Sequence, residues 1–166
     1  LSNFQSQDLS LLGDQLKIFS LNEVPYSLLD RAYEGKTLEL SQNANIPYMA
    51  FSPTAQGLLA RAMSQEDLKM PTRKHHFLYQ NQVYPHAKKV WETVRDIADE
   101  LSRKPVEVAI AWVLAQNNIF TAIIGTRKFE QVPEFAKSTD LKLSPSQLER
   151  LTTASDHFSK VTKGVE

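Results

Sequence analysis

Four short stretches of this chain carry residue types that could do chemistry. In Gly125-Thr126-Arg127-Lys128 an apolar run, TAIIG, passes through a glycine into a helix start bearing two adjacent cations. A helix N-terminus offers unpaired amides and the positive end of a dipole, and a guanidinium and an ammonium beside it suit a phosphate. Read on spacing alone, Arg127 and Lys128 are more simply two solvated loop cations. In AFSPTAQG, residues 50–57, an aromatic, a hydroxyl and small residues follow an apolar run. Parallel α/β folds place ligands at the carboxyl ends of strands. The plainer alternative makes Phe51 core and Ser52-Pro53 a turn. YPHAKK, residues 84–89, gathers a phenol, an imidazole and two ammoniums, but consecutive helical residues point in different directions, so a polar helix start is the better reading. His75 and His76 are adjacent, with no acidic or cysteine partner nearby; they read as loop residues, and no metal site is expected.

These groups need elements to hold them. Residues 17–24, KIFSLNEV, predict a strand, and residues 27–46 predict a helix that Gly35 interrupts. PYMAFSP, 47–53, predicts a buried strand bounded by prolines. The passage from about Leu58 to Pro85 has no sustained period, and loops of that length are functional or disordered. From His86 onward Val90, Val94, Ile97, Ala98 and Leu101 recur at helical spacing. PVEVAIAWVLAQN opens on Pro105 and is apolar nearly all round, as a helix wedged between neighbours would be. TAIIG, 121–125, predicts a third strand, and FEQVPEFAKS a weak helix, disturbed by Pro133 unless that proline falls within its first turn. Ser144-Pro145-Ser146-Gln147 supplies a cap, a first-turn proline and a capping-box glutamine for a last helix. The βα alternation builds a parallel sheet, yet three strands are too few for a closed barrel and would leave edges bare.

The chain has 166 residues, enough for one domain, with 19 Lys plus Arg against 19 Asp plus Glu. A neutral balance gives no general attraction to nucleic acid or an anionic membrane surface. The absence of cysteine excludes disulfides, thiol nucleophiles and cysteine zinc sites. No apolar run approaches a membrane span and no signal-peptide pattern opens the chain, so a cytoplasmic protein is expected.

Five motifs in order resemble the C-terminal half of the aldo/keto reductase family. LSNF resembles the family's G-x-S-N-F, and NEVPYSLLDR its N-Q-x-E-Y-S-L-L-D-R. AFSPTAQGLL resembles its Y-S-P-L-x-x-G-x-L, VEVAIAWVLAQ its A-L-A-W-x-L helix, and IIGTRKFEQVPEF its I-P-G-x-R-x-x-E-Q-x-x-E-N. The resemblance implies an α/β fold, the C-terminal portion of a (β/α)8 TIM barrel (about strands 6–8 with their helices). Residues 1–166 would form a partial reductase domain, with a cofactor and substrate loop at about 58–85. LSNF would end a fifth barrel strand, and the chain would be a fragment of a longer polypeptide.

The implied function is the cofactor-binding part of an NADPH-dependent oxidoreductase that reduces aldehydes and ketones. The alternative is an NADPH-binding regulatory module without catalysis. The resemblance places Ser2, Asn3 and Glu23 at the nicotinamide carboxamide and Phe51 on the nicotinamide face. It places Ser52, Pro53, Gln56 and Gly57 around the pyrophosphate, with Arg73 closing over the cofactor. Gly125, Thr126, Arg127 and Lys128 would cradle a 2′-phosphate, which is why NADP is expected, and Gln131 and Glu134 would lie near the adenosine. Glu23 replaces a family glutamine, Pro25 a glutamate and Phe135 an asparagine. The family's catalytic Asp, Tyr, Lys and His lie on earlier strands, so no catalytic residue is expected here and the chain alone is expected to be inactive.

Overall fold

The computed structural model describes residues 1–126 and 128–165. Three short parallel strands form its sheet in the order β1 (Asn22–Pro25), β2 (Tyr48–Phe51), β3 (Ile119–Ile123). A parallel bridge between Ser2 and Glu23 adds the first residues as a further row beside β1. Asn22 explains that attachment: its buried side-chain amide donates to the Phe4 carbonyl at 2.8 Å, and its Oδ1 accepts from the Phe4 amide at 3.3 Å. A polar side chain is thus buried with both partners satisfied. Pro25, Phe51 and Ile123 share the last row of the register. Between β2 and β3 the register slips after Tyr48, and Phe120 is left 72% exposed.

The first helix, α1 (Ser6–Leu12), ends at Gly13, whose φ of 49° admits no ordinary side chain without strain. The strand expected over 17–24 begins only at Asn22. Residues Gly13–Ile18 wind as a 3₁₀ turn that leaves Ile18 77% exposed, because the alternation that buries side chains starts later. The helix expected over 27–46 shrinks to α2 (Lys36–Asn43). Ser27 and Asp30 close a tight turn by exchanging amide-to-carbonyl bonds of 2.9 and 3.1 Å, so Leu28 and Leu29 are buried from a loop and only imitate helical spacing. Gly35, at φ 61°, starts α2 instead of interrupting it.

The long passage from 58 to 85 is built from α3 (Gln65–Lys69), α4 (Pro71–Lys74) and a 3₁₀ turn at Phe77–Tyr79. The helices that follow match their sequence patterns. α5 (Tyr84–Glu100) buries Val90, Val94, Ile97 and Ala98, and α6 (Pro105–Leu114) buries every residue from Val106 to Val113. α7 (Gln131–Ala136) is short and holds Pro133 in its first turn, and α8 (Pro145–Thr162) begins in the full Ser144–Gln147 capping box. Trp112 of α6 stacks on Tyr26 at 5.9 Å between ring centres, joining the helical layer to the end of β1. No helix among the described residues is long and apolar enough to cross a membrane.

Candidate functional site

Parallel pairing aligns the rows whose ends several of the sequence-predicted groups follow. The backbone of Asn3 donates to the Glu23 carbonyl at 2.8 Å, and the Glu23 amide donates to Leu1 at 3.0 Å, so Ser2, Asn3 and Glu23 are neighbours. Asn3 leaves the row at φ 59°, a left-handed turn that asparagine tolerates better than most residues. Both Ser2 and Asn3 are exposed, and the Asn3 amide nitrogen donates to the Ser2 hydroxyl at 3.3 Å. Phe51, half-buried, ends β2 next to Pro25 and Ile123.

The chain then coils tightly. Ser52, Ala55, Gln56 and Gly57 have φ of 53, 49, 56 and 88°, and two consecutive non-glycine residues in this region cost roughly 1–2 kcal/mol each. Such strain persists where surrounding contacts enforce it and collects at functional sites. Ala55, Gly57 and Leu58 donate to carbonyls within the coil at 2.9–3.1 Å. The amides of Thr54 and Gln56 have no acceptor among the described residues. Pro53 is buried beneath the turn.

Arg73 comes back from the long loop to this turn. A Cβ on Gly57 would lie 4.0 Å from Arg73 Nη2, and the guanidinium stands 5.7 Å from the centre of the Tyr79 ring. The Tyr79 hydroxyl in turn reaches the Gln56 carbonyl at 3.5 Å. Arg73 Nη1 donates to Asp67 Oδ1 at 2.8 Å and to the Asp67 carbonyl at 3.3 Å. The same carboxylate accepts two bonds of 2.6 Å from Arg61. Arg61, the Ser64 amide and Arg73 together hold the Asp67 carboxyl far below the usual carboxylate range.

At the end of β3, Gly125, Thr126 and Lys128 are exposed. The Thr126 hydroxyl lies 2.8 Å from the Lys128 carbonyl and 2.9 Å from Gln131 Oε1, which accepts from the Lys128 amide at 3.2 Å. Gln131 therefore pins the loop at the foot of α7. Glu134 pairs with Lys104 Nζ at 2.7 Å, which ties α7 to the start of α6. Arg127 lies outside the described residues. Among those described, no group of three His, Asp or Glu is placed to hold a metal ion.

Sequence reasoning missed Asp67, Tyr79 and Arg61. Ser64-x-x-Asp67 is a legible capping pattern, and the cap is there, with the Asp67 amide donating to Ser64 Oγ at 3.1 Å. Nothing local signals the carboxylate's second task. His76, read as a loop residue, caps the 3₁₀ turn by accepting from the Leu78 amide at 3.2 Å.

A sequence model described as the Aldo/keto reductase family matches residues 1–156. The chain is 32% identical over 126 residues to the "Uncharacterized oxidoreductase YrpG" of Bacillus subtilis, covering 76% of this chain and 37% of that protein. It is 25% identical over 122 residues to the "NADH-specific methylglyoxal reductase" of Escherichia coli, covering 74% and 37%. Among solved structures, the glycerol dehydrogenase AKR11B4 from Gluconobacter oxydans superposes with a TM-score of 0.77 at 20% identity, covering 99% of this chain and 48% of that one. The thermostable aldo-keto reductase Tm1743, solved with the inhibitor epalrestat, gives 0.63 at 22%, covering 92% and 46%. The chain thus spans less than half the length of these relatives, and its parallel sheet with covering helices is a portion of a (β/α)8 barrel.

Proposed function

Because this chain belongs to the aldo/keto reductase family, we propose that it forms the dinucleotide-binding side of an oxidoreductase that reduces aldehydes or ketones with NADPH. The observation that carries this reading is that three segments with ligand-binding groups lie at the rows of one parallel sheet. Ser2, Asn3 and Glu23 leave from one pair of rows, the Phe51–Gly57 turn with Arg73 from the next, and the Gly125–Gln131 loop from the last. The donor set fits an extended dinucleotide: neutral hydrogen-bonding groups at one end, an aromatic, then free amides beside a guanidinium, then a cationic loop.

When bound, NADPH supplies the hydride. The protein groups bind and orient it. Ser2 and Asn3 hold the carboxamide, with Glu23 as an acceptor for its NH2. Phe51 offers a flat apolar face, and the amides of Thr54 and Gln56 with Arg73 receive the pyrophosphate. Lys128, with Thr126, meets the 2′-phosphate, and Gln131 and Glu134 border the adenosine. Residues 58–85 form the loop over cofactor and substrate, and 1–166 belong to one such domain. The Escherichia coli relative's name marks it as NADH-specific, so the 2′-phosphate contact is the part of this reading to test first.

Fluorescence titration of the 166-residue chain with NADPH and with NADH does so. NADPH is expected to bind more tightly, and Lys128→Met to reduce that preference by about tenfold, the weight of one charge-assisted contact. Equal affinity for the two dinucleotides, unchanged by Lys128→Met, would remove the NADP assignment. With an aldehyde added, the chain alone is expected to oxidise no NADPH.

A further inference from the structure

We propose that Asp67 is a positioning residue for the phosphate seat: it holds the Arg73 guanidinium against the Ser52–Gly57 turn, with Arg61 offsetting the carboxylate so that the cluster keeps a net positive charge. The proposal rests on the dinucleotide reading of that turn. It goes beyond it by assigning a task to two residues, Asp67 and Arg61, that touch no ligand.

The geometry is a closed circuit. Gly57 faces Arg73 Nη2, Arg73 lies over the Tyr79 ring, and Tyr79 reaches back to the Gln56 carbonyl. The anchor of the circuit is Asp67, which takes Arg73 through Nη1 alone. The Tyr79 hydroxyl is a second side-chain partner of the guanidinium, and only 13% of the Arg73 side chain is exposed. A guanidinium carries five donors in a fixed plane, and burying some of them unpaired is costly unless a ligand takes them. Nη2 faces the turn whose Thr54 and Gln56 amides lack acceptors among the described residues. Free amides in a turn with a guanidinium beside it suit a phosphate oxyanion.

Arg61 decides why the carboxylate does not simply cancel Arg73. A lone Asp67–Arg73 pair would be neutral and would draw no anion. With Arg61 bound to both carboxylate oxygens, the three groups carry one net positive charge, and Asp67 is fixed by Arg61, by its own cap at Ser64 and by α3. Arg61 is 56% exposed, while Arg73 and Asp67 are each 13% exposed, so the surplus charge is expressed on the buried side, at the turn.

The test is a double-mutant cycle on the 166-residue chain, read by affinity for NADPH and for inorganic pyrophosphate. Asp67→Asn and Arg73→Met are each expected to weaken both ligands by about tenfold. The double variant is expected to be no weaker than Arg73→Met alone, because Asp67 acts only through Arg73. A purely structural role for Asp67 would instead add its loss to that of Arg73→Met. Far-UV circular dichroism checks folding, and should Asp67→Asn unfold, Asp67→Glu, which keeps the charge but displaces it, takes its place with the same expected non-additivity. Wild-type binding that Asp67→Asn leaves unchanged, or additive losses, would overturn the proposal and leave the dinucleotide reading intact. If the wild-type chain binds neither ligand, the phosphate seat itself fails and the proposal falls with it.

Discussion

Asp30, half-buried at the end of the turn after β1, has its carboxyl held above the ordinary carboxylate range by burial. The Ala32 amide, which donates to it at 3.3 Å, and the nearby His76 pull the other way and do not cancel that effect. The folded chain therefore binds this proton more tightly than the unfolded chain. Its contribution to stability is fully present below about pH 3.9, the unfolded value, and is lost as pH rises through the folded one. Asp30→Asn keeps an acceptor for Ala32 and removes the titration. Thermal unfolding should show the variant melting above the parent at pH 7 and level with it near pH 3. A variant that melts lower at pH 7 would mean that the attraction to His76 outweighs burial. Arg31, the next residue, makes one contact at local spacing, with Glu34, and others that no local pattern announces. It holds Glu34 through two bonds of 2.7 Å and Asp156 of α8 from across the chain, with its guanidinium 6.0 Å from the Trp112 ring centre.

Helices with long, uninterrupted spacing are the elements that the sequence makes plain. In α8 the Ser144 hydroxyl accepts from the Gln147 amide at 3.3 Å and the Gln147 side chain accepts from the Ser144 amide at 2.9 Å. Ser144→Ala should lower the unfolding free energy by about 1 kcal/mol, measured by urea denaturation. A loss below about 0.3 kcal/mol would show the packing of α8 on α5, not the cap, setting its start. α5 and α6 were equally legible, since one stripe or an all-round apolar surface can be satisfied only by a helix. The first strand and second helix were misplaced for a common reason. Leu28 and Leu29 are buried by a turn tied with Ser27–Asp30 bonds, and Ile18 by nothing at all, so apolar spacing there reports tertiary position instead of local periodicity. The strand-end groups proposed for the site each fall within a motif of neighbouring residues, so their grouping is visible in the sequence. The Asp67–Arg61–Arg73 cluster could not, because its partners meet only when the long loop folds back on the turn.

The whole molecule is a run of parallel rows, with the Asn3, Phe51–Gly57 and Gly125–Thr126 stretches at or beyond the carboxyl ends of successive rows. The wide groove between α5 and α8, lined by His86, Val90, Asp96, Arg150, Ala154 and His157, mixes polar and apolar side chains and is lined by no strand residue. That separation makes the central claim local. The most direct measurement is the amide NMR spectrum of the labelled 166-residue chain with and without NADPH. Saturable shifts are expected to be confined to the three loops, at Asn3, Thr54, Gln56, Gly57, Gly125, Thr126 and Lys128, with the α5–α8 groove unchanged. Shifts centred on His86, Arg150 and His157, or none at saturating dinucleotide, would contradict the central claim.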